Sequence, residues 1–217
     1  MSPIESRQVA VAVFAKAPIP GLAKTRMIPR LGAEGAADLQ RRLLGWTLET
    51  AVAAELGPVS LWCAPSCDHP VFAAHRDGFG LRLFEQRGED LGARMLHAFS
   101  ALCAESPVLL VGTDCPALTA HTLRSAAQAL LCGKDAVFLP AEDGGYVLIG
   151  LSKPEPALFE NMPWGTDRVM AETRARLSGL GLNWTEPETL WDVDRPEDLD
   201  RLADSGLFDD GYDRRVT

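Results

Sequence analysis

A basic segment near the N-terminus stands out in an otherwise acidic chain. Residues 6–33 contain five basic residues and no acidic one, whereas the whole chain of 217 residues carries a formal net charge of −9. Within this stretch, the basic loop is defined as residues 16–30 (KAPIPGLAKTRMIPR). Lysine and arginine neutralise phosphate oxygens, and glycine at position 21 lets a ligand approach the backbone closely. We expect Lys24 and Arg26 to contact phosphates; the alternative is a solvated loop stiffened by its prolines.

An aspartate follows the most apolar run of the chain. Residues 107–111 (PVLLV) are typical of a buried central strand, and Asp114 comes directly after them in the segment 112–116 (GTDCP). Ligands of α/β sheets bind beyond the carboxyl ends of the strands, so Asp114 is expected to face the ligand. A carboxylate at this position suits Mg²⁺ or Mn²⁺. The alternative is that Asp114 begins a turn before Pro116.

Two further acidic segments have both a structural and a functional interpretation. Residues 141–146 (AEDGGY) lie between two apolar strands, where the glycines either form a hairpin turn or leave room for a substrate that Asp143 faces. Residues 192–199 (DVDRPEDL) place Asp194 as the N-cap of a final helix. The other interpretation is that an aspartate of this segment returns to the crevice as a second metal ligand.

Two glycine-containing segments carry weaker signals. In residues 86–95 (QRGEDLGARM), Gly88 and Gly92 flank a helix start whose free N–H groups suit an anion or a base edge. In residues 162–166 (MPWGT), Trp164 either stacks on a ligand or fills the core. The four histidines are isolated from one another and are interpreted as structural or exposed.

The elements that must position these segments alternate between strand and helix. This alternation predicts an α/β fold with three α/β/α layers and a mainly parallel, mixed sheet. No repeat or linker marks an internal boundary, so residues 1–205 are expected to form one domain and residues 206–217 a frayed tail. The predicted strands are 9–14, 58–63, 80–84, 107–111, 136–139, 146–151 and 182–185, and the predicted helices are 34–54, 90–104, 119–131, 166–177 and 196–203.

Charge and composition exclude several classes of function. A net charge of −9 repels a phosphate backbone, so no nucleic-acid partner is expected. The N-terminus lacks the pattern of a signal peptide, and no apolar run approaches the roughly 20 residues of a membrane span. An odd number of scattered cysteines argues against a disulfide framework or a zinc site and predicts a reduced, cytoplasmic protein. The cysteines are Cys63, Cys67, Cys103, Cys115 and Cys132.

Six motifs, taken in order, resemble the radical-SAM/selenodomain-associated transferase 1 family. The resemblance runs from about residue 9 to residue 203 and implies a nucleotide-diphospho-sugar transferase fold of the glycosyltransferase-A-like type. More distantly, the chain is similar to 2-phospho-lactate guanylyltransferase and molybdenum cofactor guanylyltransferase. The motifs are FAKAPIPGLAKTRM (14–27), QRGEDLGARM (86–95), VGTDCPAL (111–118), PAEDGGYVLIGL (140–151), PWGTDRVMAET (163–173) and WDVDRPEDL (191–199).

The resemblance implies roles for individual residues. The aspartate after the central strand would bind the metal, and the second carboxylate would come from the last motif, which gives Asp114 and Asp194 as metal ligands, with Asp192 as a further candidate. The predicted nucleotide contacts are Lys16, Pro18, Gly21, Lys24, Arg26, Gln86, Gly88, Gly92 and Thr113. The predicted contacts to the second substrate are Gly144, Gly145, Tyr146, Trp164 and Thr166.

The motifs leave the reaction open. The basic loop lacks the GxGxRMG pattern of many sugar-phosphate nucleotidyltransferases, and Asp114 stands alone rather than in a DxD pair. Our first hypothesis is nucleotidyl transfer from an NTP to a small phosphorylated or hydroxyl acceptor, with Lys24 and Arg26 stabilising charge. The phosphates would then lie between Lys24 and Arg26 on one side and Mg²⁺ or Mn²⁺, held by Asp114 and Asp194, on the other. The alternatives are glycosyl transfer from a nucleotide-sugar, with Asp143 at the acceptor or the sugar, and nucleotide binding without turnover. The chain is expected to act as a monomer or a homodimer.

Overall fold

The computed structural model describes residues 8–206 as a seven-stranded sheet with helices on both faces. The strand order is β3-β2-β1-β4-β6-β5-β7. Strands β1 and β4 carry apolar runs and lie side by side at the middle of the sheet. The strands are β1 (Ala10–Lys16), β2 (Val59–Ala64), β3 (Arg82–Glu85), β4 (Val108–Val111), β5 (Ala136–Pro140), β6 (Tyr146–Leu151) and β7 (Trp184–Thr185).

Five of the six α-helices of the described residues form the two outer layers, and α6 packs against α1 through a smaller cluster that contains Leu202 and Leu43. Alternate residues of β1 point to opposite faces, so Val11 and Val13 belong to one core cluster and Ala12 and Phe14 to the other. Helices α1, α2 and α4 pack on the first face, and α3 and α5 pack on the second. The helices are α1 (Ile28–Ala53), α2 (Pro70–Phe79), α3 (Leu91–Leu102), α4 (Ala120–Leu131), α5 (Val169–Gly179) and α6 (Asp198–Asp204).

The sheet is mainly parallel, with one antiparallel strand. Strand β1 pairs in parallel with β2 and β4, whereas β6 runs antiparallel to β4 and β5. The reversal follows from the short connection 141–145, because a tight turn returns the chain at once and leaves no room for a crossover helix. The predicted three-layer α/β/α architecture with a mixed sheet is therefore confirmed.

Some element boundaries differ from the prediction. Helix α1 begins at Ile28 rather than at residue 34 and is broken at Gly32, whose φ of 70° is not helical. Helix α2 was not predicted, because its proline start and its glycines at positions 78 and 80 are typical of a loop. Strand β7 is limited to two residues, and α5 begins three residues later than expected.

The last helix is capped differently from the prediction. Asp194 is not its N-cap, because the helix begins at Asp198. The carboxylate of Asp198 instead accepts hydrogen bonds from the backbone N–H groups of Asp194 and Arg195, at 2.9 and 2.7 Å. The side chain of Asp194 is therefore not used for capping.

Three further predictions concern cysteines, membranes and the tail. The five cysteines are all free. Among residues 8–206, no helix combines the length and the apolar character that crossing a membrane requires. The frayed tail was predicted for residues 206–217, of which all but Gly206 lie outside the described residues.

Candidate active site

Two adjoining cavities open at the carboxyl ends of β1 and β4. The first cavity has a volume of about 520 Å³ and lies between the basic loop, residues 112–115 and residue 86. The second cavity, of about 430 Å³, lies between the β5–β6 hairpin, residues 165–167 and the C-terminal segment 191–201. Arg26, Asp192 and Asp194 line both cavities, so these residues form the boundary between them.

A small apolar cluster holds the C-terminal segment against the basic loop. Val193 is fully buried and packs in one cluster with Met27 of the basic loop, Leu43 of α1 and Leu202 of α6. The backbone N–H of Val193 also donates to the carbonyl oxygen of Asp114, at 2.7 Å. Burial of Val193 thus fixes the two flanking aspartates at the cavities, which explains how residues so distant in sequence return to the crevice.

Lys24 is the central cation of the first cavity. Its side chain is only 4 % exposed, and Nζ lies 2.8 Å from Oδ1 of Asp114. The same ammonium donates a hydrogen bond to the carbonyl oxygen of Val193 at 2.5 Å. A buried ammonium needs such partners, because desolvation of an unpaired charge costs several kcal/mol. Lys24 therefore connects the basic loop, the end of β4 and the C-terminal segment.

The two arginines of the basic loop are also paired with the C-terminal segment. Arg26 forms an ion pair with Asp194, and Arg30 forms one with Asp200. Arg30 donates in addition to the carbonyl oxygen of Pro196, at 2.8 Å. The sequence hypothesis placed the cations and the carboxylates on opposite sides of a ligand, whereas the structure brings them into direct contact.

Four carboxylates share the electrostatic field at the cavity boundary. Burial, the largest cause, and the nearby charges of Asp143, Asp114 and Asp194 together raise the pKa of Asp192 to about 6, while the charge of Lys24 opposes them. Asp143, which was predicted from the hairpin, is thus close enough to Asp192 to repel it. The three segments that carry these aspartates converge on one site.

Gln40 is a polar residue that the sequence analysis missed. It is 4 % exposed on the buried side of α1, and its Nε2 donates to Oγ1 of Thr113 at 3.1 Å and to the carbonyl oxygen of Lys16 at 3.4 Å. Thr113 Oγ1 in turn lies 3.4 Å from Oδ1 of Asp114. Gln40 therefore links the ends of β1 and β4. The available signal was a glutamine next to Leu39 within the apolar stripe of the helix.

Some of the predicted nucleotide contacts line the first cavity, and the others line neither cavity. Lys16, Lys24, Arg26, Gln86 and Thr113 line the first cavity, together with the exposed Leu22 and Leu91, which were not predicted. Pro18, Gly21, Gly88 and Gly92 lie outside the lining of both cavities.

Close packing accounts for Gly88 and Gly92. A Cβ atom at Gly88 would lie 2.7 Å from the backbone nitrogen of Arg94, and one at Gly92 would lie 2.7 Å from the carbonyl oxygen of Phe159. Gln86 is itself held by its side-chain amide, which donates to the carbonyl oxygens of Trp62 at 2.9 Å and Ala15 at 3.3 Å. These contacts fix the loop after β3 at the edge of the first cavity.

Of the predicted contacts to the second substrate, two line a cavity and three do not. Thr166 lines the second cavity and Tyr146 the first, whereas Gly144, Gly145 and Trp164 line neither. The backbone of Asp167 fills the space beside Gly144, so this glycine does not leave room for a substrate as we expected. Trp164 packs edge-on against Tyr146 with 6.4 Å between ring centroids, which matches the core interpretation of this residue.

Asp114 and the two aspartates of the boundary have the donor chemistry of a Mg²⁺ or Mn²⁺ site. Hard carboxylate oxygens from Asp114, Asp192 and Asp194 suit these ions, and the ammonium of Lys24 already places one positive charge on Asp114. Across residues 8–206, no three acidic, histidine or cysteine side chains converge closely enough to form a metal site alone. The protein would thus supply one or two ligands, and phosphate oxygens and water the rest, as is usual for Mg²⁺ at nucleotides.

Comparison with known proteins places the chain in a family and a fold. The model of a family described as "Uncharacterized protein conserved in bacteria (DUF2064)" matches residues 47–166, just over half of the chain. A crystal structure of a candidate nucleotide-diphospho-sugar transferase from Desulfovibrio desulfuricans G20 has a TM-score of 0.84 and 29% sequence identity over 96% of this chain and 91% of that one. No curated protein matches the chain.

Two more distant structures share the fold. The 4-diphosphocytidyl-2C-methyl-D-erythritol synthase of Anaerococcus prevotii DSM 20548 has a TM-score of 0.61 and 13% identity, over 94% of this chain and 99% of that one. Glucosyl-3-phosphoglycerate synthase of Mycobacterium tuberculosis, in complex with Mn²⁺, UDP and glucosyl-3-phosphoglycerate, has a TM-score of 0.53 and 11% identity, over 91% and 75%. The predicted nucleotide-diphospho-sugar transferase-like fold is confirmed.

Proposed function

This chain belongs to the DUF2064 family, and we propose that it is a metal-dependent transferase that uses a nucleotide substrate. One observation carries the proposal: the buried Lys24 meets Asp114 beside a cavity of about 520 Å³ at the carboxyl ends of β1 and β4. That volume lies in the range of small-molecule sites, and the position is where α/β sheets bind ligands. The transferases named among the structural neighbours support the same class of reaction.

We propose that the ion pairs of the cavity exchange partners when a nucleotide binds. Phosphate oxygens would take the place of the carboxylates at Lys24 and Arg26, and Lys16 at the end of β1 would add a third cation. Asp114 and Asp194 would then be free to hold Mg²⁺ or Mn²⁺, with Asp192 next to them. The bound ion would supply charge stabilisation at the phosphates. The chain contributes positioning and electrostatic stabilisation, so no covalent nucleophile is needed.

Nucleotidyl transfer is the first reaction that we propose. An acceptor oxygen attacks the α-phosphorus of an NTP in line, the bond from that phosphorus to the bridging oxygen breaks, and pyrophosphate leaves. Three cations lining one cavity, Lys16, Lys24 and Arg26, suit the charge of a triphosphate.

Glycosyl transfer is the second candidate, and Asp143 favours it. This carboxylate lines the second cavity close to Asp192, where it would contact the hydroxyl group of an acceptor. In that reaction the acceptor oxygen attacks the anomeric carbon, the bond from carbon to the phosphate oxygen breaks, and a nucleoside diphosphate leaves.

A screen of ligands and products separates these reactions. Purified protein is tested by thermal shift against NTPs and nucleotide-sugars, each with Mg²⁺, Mn²⁺ or EDTA, and the ligands that bind are then incubated with acceptors. Release of pyrophosphate supports nucleotidyl transfer, and release of a nucleoside diphosphate supports glycosyl transfer. Binding without turnover supports a non-catalytic nucleotide-binding protein, and the absence of any nucleotide-induced shift would contradict the proposal.

Several finer expectations stay predictions from the sequence. They are the specific resemblance to the radical-SAM/selenodomain-associated transferase 1 family, a single domain over residues 1–205, a cytoplasmic location, and a monomeric or homodimeric state. The substrates are proposed to be a nucleotide or nucleotide-sugar and a small acceptor, with no nucleic acid or membrane partner.

A further inference from the structure

The second cavity is a separate compartment on the far side of the aspartate boundary. Asp143 and Thr166 come to it from the hairpin and the segment before α5, and Trp191 from the C-terminal segment. Arg26, Asp192 and Asp194 connect it to the first cavity. A molecule in the second cavity would therefore lie next to the phosphates of a nucleotide in the first.

The lining of the second cavity is strongly acidic. It contains six carboxylates and three guanidinium groups, whereas the first cavity contains three carboxylates and three cations. The carboxylates of the second cavity are Glu142, Asp143, Asp167, Asp192, Asp194 and Asp198.

Two of the three arginines are already engaged by the protein. Arg201 donates to both carboxylate oxygens of Glu142, at 2.7 and 3.1 Å, and its guanidinium lies 4.5 Å from the ring centroid of Trp191. This guanidinium lowers the pKa of Glu142, which keeps the pair ionised. Arg26 is paired with Asp194. Their positive charge is thus committed to carboxylates before any ligand binds.

The charge of the lining selects the chemistry of a ligand. Carboxylates accept hydrogen bonds from hydroxyl groups, whereas they repel a phosphate dianion, and a cavity surrounded by them concentrates that field. Arg26 and Arg201 are held as described, so Arg195 is the one guanidinium of this lining without a carboxylate partner among the described residues. Three carboxylates that no arginine pairs with, those of Asp143, Asp167 and Asp192, outnumber it and disfavour a phosphate dianion. Hydroxyl groups, by contrast, find acceptors on Asp143 and Asp167 directly.

We infer that the second cavity is the acceptor subsite and that it takes an unphosphorylated polyhydroxyl compound rather than a phosphate ester. This inference rests on the proposed function and narrows it, because the sequence left phosphorylated and hydroxyl acceptors equally open. It applies to both candidate reactions, since each begins with an acceptor oxygen next to the nucleotide phosphates.

Matched pairs of acceptors test the inference. Binding of glucose and glucose 6-phosphate, and of glycerol and glycerol 3-phosphate, is measured by ligand-observed NMR with Mg²⁺ and the nucleotide that gives the largest thermal shift. The unphosphorylated member of each pair is expected to bind at least tenfold more tightly. Equal or tighter binding of the phosphate esters would overturn the inference, and so would failure of all four compounds to bind while the nucleotide still binds.

A variant that frees a cation sharpens the test. Glu142→Gln releases Arg201 from its carboxylate and is expected to shift the preference toward the phosphate esters by about tenfold. Glu186→Gln is the matched control, because Glu186 holds Arg174 in a similar two-oxygen pair that lines neither cavity. The nucleotide-induced thermal shift of each variant reports folding and the first cavity. If the unmodified protein shows no nucleotide-induced thermal shift, the proposed function is refuted. If Glu142→Gln keeps the same preference for unphosphorylated over phosphorylated acceptors, only the inference about the acceptor subsite is refuted.

Discussion

The two cavities share the wall formed by Asp192 and Asp194 but present opposite chemistry to a ligand. On the side of the first cavity, the cations of the basic loop balance the carboxylates, and the exposed side chains of Leu22 and Leu91 add apolar surface at the rim. On the side of the second cavity, carboxylates outnumber guanidinium groups by two to one. One wall thus separates a compartment suited to phosphates and a base from one suited to hydroxyl groups.

Cations of the basic loop balance the negative charge of the acidic segments around the two cavities. The acidic C-terminal segment would repel the acidic hairpin, yet Lys24, Arg26 and Arg30 reach it from the basic loop. The excess of basic residues near the N-terminus therefore has two roles in this account. These residues pair with the C-terminal segment in the structure and, in the proposed function, would bind phosphates when a nucleotide is present.

The largest effect is expected from removing the central cation of the first cavity. Lys24→Met keeps the apolar stem but deletes the ammonium at Asp114, and we expect kcat/KM to fall by about 1,000-fold, on the order of 4 kcal/mol of transition-state stabilisation. Steady-state kinetics with the substrates found in the screen measure this loss. A decrease of less than tenfold would contradict the role of Lys24 at the phosphates.

A smaller effect, on the stability of the fold, is expected at the β5–β6 hairpin. Gly144 has a φ of 92°, and a Cβ atom there would collide with the backbone of Asp167, so Gly144→Ala is expected to lower the free energy of unfolding by about 3 kcal/mol. Denaturant unfolding measures the change. Gly165→Ala is the control, because φ is also positive there but no atom lies within 4 Å of the added Cβ. Equal destabilisation in both variants would show that the packing against Asp167 has no special role.

Two arginines of the basic loop provide a matched pair. Arg26 and Arg30 are both exposed and each is paired with an aspartate, but only Arg26 lines the cavities. We expect Arg26→Ala to weaken nucleotide binding about tenfold, or roughly 1.4 kcal/mol, and Arg30→Ala to leave it unchanged. Isothermal titration with the nucleotide measures both affinities. Similar losses in the two variants would indicate a general effect of net charge rather than a phosphate contact.

The smallest effect is expected at Gln40, which acts through other residues. Gln40→Leu removes the hydrogen bonds that position Thr113 and the end of β1, and we expect about 1 kcal/mol of lost stability and a few-fold increase in KM. Gln40→Glu keeps the acceptor but loses the donor, so it should restore neither property. A fall in kcat of more than 100-fold for Gln40→Leu would instead place Gln40 at the reacting atoms.

The sequence predicted the fold better than it predicted the contacts between residues of the candidate active site. Short apolar runs between helical patterns indicated the strands, and β4 was identified because the continuous apolar run 107–111 is typical of a central strand. Helix α2 was missed because proline and glycine at its ends are equally compatible with a loop. The segments of the site were identified from local charge and from position after a strand.

The ion pairs within the candidate active site could not be predicted from the sequence. Asp114 and Lys24 were predicted to lie across a ligand from each other, and their contact depends on the burial of Val193 in a cluster formed by residues from three distant segments. The second cavity depends in the same way on the return of residues 191–201. Local patterns carry no information about such long-range contacts, and the same limit explains why Gln40 was overlooked.

The most direct test of the account is metal-dependent nucleotide binding in the variant Asp114→Ala. The unmodified protein is expected to show a thermal shift with a nucleotide that is larger with Mg²⁺ or Mn²⁺ than with EDTA. In Asp114→Ala the contribution of the metal should disappear, while a smaller, metal-independent shift remains, because Lys24 and Arg26 still contact the phosphates. An unchanged metal-dependent shift in this variant would contradict the assignment of Asp114 and the model of the site built around it.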